Sequence, residues 1–92
     1  MAVSRAERRE QRKRQATEVF GEGQAPIALD LLELTELAWH DSYGEITPPD
    51  DVIDDLLLLS DGSIERLVQM ARLAVTDWRD LKVAADATRN RA

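Results

Sequence analysis

The chain has 92 residues, with 18 acidic and 12 basic side chains and a net charge of −6. A chain of this length makes one domain and buries only about 60% of its unfolded surface, so its core is small. With no cysteine and one histidine, disulfides and thiolate metal sites are excluded, and self-association is the remedy left for a marginal core.

The charge is segregated along the chain. Residues 1–16 carry a net +4, residues 17–65 a net −13 with no lysine or arginine, and residues 66–92 a net +3. The first sixteen residues lack the apolar stretch of a signal peptide. The longest run of bulky aliphatic residues is Leu56-Leu57-Leu58-Leu59, against the roughly 18 that a membrane span needs. A cytoplasmic protein without a membrane partner is the expectation.

Residues 1–24 read as a basic N-terminal arm with a glycine-containing linker, and residues 25–92 as a helical domain. The arm has a helix-start signal, because Ser4-Arg5-Ala6-Glu7 has capping-box spacing. It lacks an apolar stripe: after Val3 and Ala6 the next apolar residues are Ala16, Val19 and Phe20. A frayed or nascent helix projecting into water, anchored by Val19 and Phe20, is predicted, ended by Gly21-Glu22-Gly23-Gln24.

The first firm helix is predicted from about Pro26 to Tyr43, with Pro26 at its start and Gly44 just past its end. Ile27, Leu31, Leu34 and Ala38 repeat at helical spacing and mark the expected core stripe. Leu32 and Trp39 widen that stripe, whereas Leu29 and Leu37 lie away from it, so the apolar girth exceeds what one neighbour can cover. A second helix is predicted after Thr47-Pro48-Pro49-Asp50, with Thr47 as N-cap, Pro48 in the first turn, and Val52, Ile53, Leu56 and Leu57 on the apolar side. Asp61-Gly62 ends it.

The third helix is predicted to be the longest. From an N-cap at Ser63, Ile64, Leu67, Val68, Ala71, Val75, Trp78, Leu81 and Ala85 keep helical spacing. Roughly 25 residues at 1.5 Å each would make a rod of about 37 Å. The fold class expected is all-α: a three-helix bundle, in which a helical hairpin packs on one long C-terminal helix, plus the basic arm.

Four groups of residues are functional candidates. Arg5, Arg8, Arg9, Arg12, Lys13 and Arg14 could neutralise phosphates of a nucleic acid, each contact releasing counterions. The plainer reading is that these cations contact the protein's own acidic stretch or remain solvated. Glu33, Glu36 and His40 share a helix face and are weak candidates for a carboxylate-rich metal site. Leu37 stands where a Glu-x-x-His motif would need its carboxylate, so a surface histidine paired with Glu36 is the competing reading. Trp39, Tyr43 and Trp78 could mark a binding groove, or could simply fill the core. The acidic stretch could dock a basic partner, or serve only solubility.

No catalytic constellation emerges. His40-Asp41-Ser42 are sequence neighbours, and neighbouring residues on a helix point apart. Gly21 and Gly23 lack the strand and the Lys-Ser/Thr of a phosphate loop. No cofactor is implied. The expected function is therefore that of a non-enzymatic interaction module that binds a protein partner or itself. It would bury Leu29, Leu32, Leu37 and Trp39, with Arg66, Arg72 and Arg79 facing acidic residues of a neighbour.

Overall fold

The computed structural model describes residues 5–91, which form five α-helices: α1 (Arg5–Phe20), α2 (Ala25–Tyr43), α3 (Asp50–Ser60), α4 (Ile64–Thr76) and α5 (Trp78–Arg91). The chain is all-α, but it is not a three-helix bundle. The expected architecture is corrected at both ends, by the packing of α1 and by a break between α4 and α5.

α3 holds the centre. Val52, Ile53, Leu56, Leu57 and Leu59 are all buried, together with Asp55 and Ser60. At about 100° per residue these positions cover roughly 200° of the helix circumference. Such a helix needs neighbours on several sides, and α1, α4 and α5 all pack against it. Its start differs from the expected one. Pro49 stands at the N-cap, and its carbonyl accepts from Val52 N at 3.0 Å, so the Thr47 hydroxyl does not cap the helix.

α2 runs beside both α1 and α4. Its buried residues are Ala25, Ala28, Leu29, Leu32, Thr35 and Trp39. The helix is therefore rotated from the expected phase: Ile27 and Leu34, expected in the core, are 54% and 60% exposed. Two alanines and a threonine share the inward face with Leu29, Leu32 and Trp39, and such small or polar residues mark a core side only weakly. The Thr35 hydroxyl satisfies itself on the Leu31 carbonyl at 2.7 Å. Gly44 ends the helix at φ 73°, where its N–H reaches the His40 carbonyl at 2.8 Å.

The basic segment is not a projecting arm. Ala16 and Arg12 are buried, and Val19 and Phe20 pack against the core. A free 16-residue helix would add about 24 Å to the molecule. The observed radius of gyration of 12.5 Å instead matches the roughly 12 Å of a fully packed chain of this length. The end of α1 also approaches the α3–α4 turn closely. A Cβ on Gly62, which has φ +78°, would lie 3.1 Å from the Val19 carbonyl oxygen.

The long C-terminal helix breaks at Asp77. Its backbone is extended (φ −156°, ψ 97°), although its N–H still bonds the Leu73 carbonyl at 2.7 Å. The Asp77 carboxylate accepts from Arg79 N at 3.1 Å and so caps α5. The Thr76 hydroxyl takes the Arg72 carbonyl at 2.8 Å. Local side-chain bonds of this kind compete with the helix ladder and stop it. Apolar spacing continues through the break, with Ala74, Leu81 and Ala85 all buried, which is why periodicity alone missed it.

α5 is tied to α3 by charge. Asp55 is fully buried, and its carboxylate lies 2.7 Å from Arg89 Nη2 and 3.5 Å from Lys82 Nζ. The two cations are more exposed than the carboxylate they serve. Removing them strands a buried charge, whereas removing the carboxylate leaves cations that water can reach. Asp55→Asn should therefore cost about 1 kcal/mol. The double replacement of Lys82 and Arg89 by Met should lower the urea midpoint by more than Asp55→Asn does; the opposite order would show that the buried charge does not govern this contact.

Candidate interaction surface

α2 and α4 run parallel, as two contacts show. At one end the Tyr43 hydroxyl donates to the Ala74 carbonyl at 2.8 Å, joining the C-terminal ends of both helices. At the other, the turn before α4 meets the end of α1, just ahead of the start of α2.

The side of α2 facing α1 is the one with Glu33 and Glu36, which pair with Arg9 and Arg12. The side of α4 facing α3 is the one with Arg66, whose Nε donates to the Leu59 carbonyl. The remaining flanks therefore meet one another. By helical phase these flanks carry Ile27, Leu31, Leu34 and Ala38 on α2 and Ile64, Val68, Ala71 and Val75 on α4, both sets spaced i, i+4, i+7, i+11. Leu31, Ala38, Ile64, Ala71 and Val75 are half-buried, while Ile27, Leu34 and Val68 are 54%, 60% and 47% exposed. The result is a two-helix apolar face open to solvent.

The residues expected to carry association are divided by the fold. Leu29, Leu32 and Trp39 are buried within the chain, and Leu37 is exposed. Arg66 and Arg79 hold local partners, the Leu59 carbonyl and the Asp77 carboxylate respectively, while Arg72 is exposed at the edge of the apolar face. Of the four apolar residues expected at the interface, Leu37 is therefore left on the surface and the other three belong to the core.

Two other candidate groups meet each other. Arg9 of the basic segment pairs with Glu33. Arg12, only 2% exposed, lies 3.7 Å from Glu36 and 3.2 Å from Asp50 and bonds Gln15, whose amide in turn reaches Asp54 at 3.1 Å. His40 Nδ1 lies 3.1 Å from the Glu45 carbonyl, which suits a protonated Nδ1 donating to it. The carboxylates of the weak metal candidate are thus held by guanidinium groups, and among the described residues no cluster of three or more His, Asp or Glu side chains could hold a metal. Arg8, Arg9 and Arg12, together with Leu29, Leu37 and Ile46, line an open cleft of about 390 Å³ over these pairs. Lys13 and Arg14 are exposed, and the side chain of Arg5 lies outside the described residues.

The aromatic residues converge. Trp39 and Tyr43 have ring centroids 4.4 Å apart at 58°, and with Trp78 they line a cavity of about 190 Å³. Trp39 is 2% exposed and belongs to the core, while Trp78 is 43% exposed at the start of α5. The Trp39 indole donates to Glu45 Oε1 at 3.2 Å. Asp51 and Lys82 close the rim with an ion pair of 3.0 Å. No helix among the described residues is long and apolar enough to cross a membrane. Comparison of the chain with protein-family models, curated proteins and solved structures finds no match.

The hydrogen bond from Lys82 holds the Asp51 carboxyl below its ordinary range, and the same bond pushes the Lys82 ammonium upward. A depressed carboxylate contributes stability above its unfolded value and loses it as pH falls through its folded value; the raised lysine keeps its share until strongly alkaline pH. Asp51→Asn should therefore lower the thermal midpoint near neutral pH by at most about 4 °C, because the pair is exposed. The gap between variant and parent should close in acid, below the ordinary aspartate range. Thermal melts across that range, followed by circular dichroism, check this, and a gap that persists in acid would assign the loss to packing.

Proposed function

We propose that this protein is a small, non-enzymatic interaction module that self-associates through the α2–α4 face. The observation that carries the reading is the exposure of Ile27, Leu34 and Val68 along two parallel helices that each turn another side to the core. A solvent-facing stripe with i, i+4, i+7 spacing is the pattern that packs against another helix.

A second copy is the occupant that fits this face best. Its matched 4-3-4 spacing on both helices complements itself. Asp41 and Arg72 are both exposed near the same end of the face, on opposite helices. A two-fold axis running along the helices sets α2 of one copy on α4 of the other and brings Asp41 of each towards Arg72 of its neighbour. Such rim pairs fix register more than they add affinity. Self-association also supplies the buried area that a chain without disulfides cannot draw from a small core.

Light scattering or sedimentation at tens of micromolar should give twice the 10.4 kDa of one chain. Ile27→Glu with Leu34→Glu should return the monomer mass with an unchanged helical spectrum, since both side chains are more than half exposed. A monomeric parent, or a doubly substituted chain of unchanged mass, would overturn the proposal.

A further inference from the structure

Three of the four aromatic residues of the chain, Trp39, Tyr43 and Trp78, line a single cavity at the junction of α2, α3 and α5. The break at Asp77 helps to build it. Trp78 opens α5, where the new helix direction carries it over the ends of α2 and α3, and it stays 43% exposed. Trp39 and Tyr43 pack on each other at 4.4 Å and 58°, with Trp39 the buried floor of the cavity at 2% exposed and Trp78 its open rim. The polar groups around these rings are mostly anionic. Glu45 is pinned by the Trp39 indole, and Asp51 stands at the start of α3. Lys82 is the one cation among the lining residues, and it is engaged by Asp51 at 3.0 Å and Asp55 at 3.5 Å.

We propose that this cavity binds a small quaternary ammonium group, such as the head of choline. Indole and phenol faces attract cations through their ring quadrupoles, and a methylated ammonium gives them both charge and apolar contact. It needs no hydrogen-bond acceptor, which suits walls that are largely hydrocarbon. The carboxylates of Glu45 and Asp51 outweigh the ammonium of Lys82 and supply the sign. At about 190 Å³ the cavity lies below the 300–1,000 Å³ usual for drug-sized ligands, so it suits a head group rather than a larger molecule. The site shares no residue with the apolar face proposed for association, so failure of either proposal leaves the other standing.

The test is intrinsic fluorescence of the full chain, because both of its tryptophans line the cavity. Choline chloride should produce a saturable change in emission that sodium chloride at equal ionic strength does not. The uncharged carbon analogue of choline, with a tert-butyl group in place of trimethylammonium, should bind roughly tenfold more weakly or worse. Trp78→Ala should weaken choline binding by a similar factor, read from the remaining Trp39. If that variant does not fold, the comparison of choline with its carbon analogue on the unaltered chain decides alone. Emission that merely follows salt, or a carbon analogue that binds as well as choline, would overturn the proposal.

Discussion

The fold turns on the burial of one short helix. α3 has eleven residues, seven of them buried, and these lie around more than half its circumference. No single partner can cover such a surface. α4 and α5 together enclose it because the chain breaks at Asp77 and turns back, whereas one straight helix would leave part of it bare. α1 closes part of the remainder through Arg12 and Gln15, which reach Asp50 and Asp54 on the outer turns of α3. Five helices in place of three follow from this need.

The same need explains the charge layout. The sequence separates a basic segment from a long acidic one, and folding lays one on the other. Arg9 and Arg12 of α1 find Glu33, Glu36 and Asp50, and Lys82 and Arg89 of α5 find Asp51 and Asp55. Each basic helix is thereby anchored to the acidic middle of the chain. Arg12 is 2% exposed and the Glu36 side chain 23%, so that pair is shielded from salt more than a surface pair would be, while the Asp50 partner stands open to water. Segregated charge along a chain need not mean a charged surface for a partner; it can be the means by which the ends of that chain find its centre.

Much of this was legible in the sequence and some was not, for identifiable reasons. The helix ends at Gly44 and the N-cap at Ser63, which accepts from Arg66 N at 3.2 Å, were marked by residues with one strong local preference. The phase of α2 was not. Its apolar residues lie all round, so periodicity shows a helix without showing which side faces in, and half of the six inward residues are Ala25, Ala28 and Thr35. Contact of the α1 cations with the acidic stretch is the plainer reading of their charge, but the burial of Arg12 leaves no apolar signal, because its stem packs while its head pairs. The break at Asp77 did leave a signal: Thr76 and Asp77 both favour local backbone bonds, and Asp80 follows three residues after a potential N-cap. The apolar pattern running through the break outweighed it. Of the candidate residues, the aromatic trio was legible as a group, but its convergence depends on the change of direction at Asp77.

The two open apolar features follow from the inward demand of α3. A chain of this size has few large side chains, and those nearest α3 are spent on it. α2 meets its own share of the core with Leu29, Leu32 and Trp39 beside Ala25, Ala28 and Thr35, and leaves Ile27 and Leu34 outside. Those two side chains are among the ones that the proposed association would cover. Association through that face would tie stability to concentration, because whatever binds only the folded form stabilises it by mass action. Folding and assembly would then be one equilibrium, and the protein would be least stable where it is most dilute.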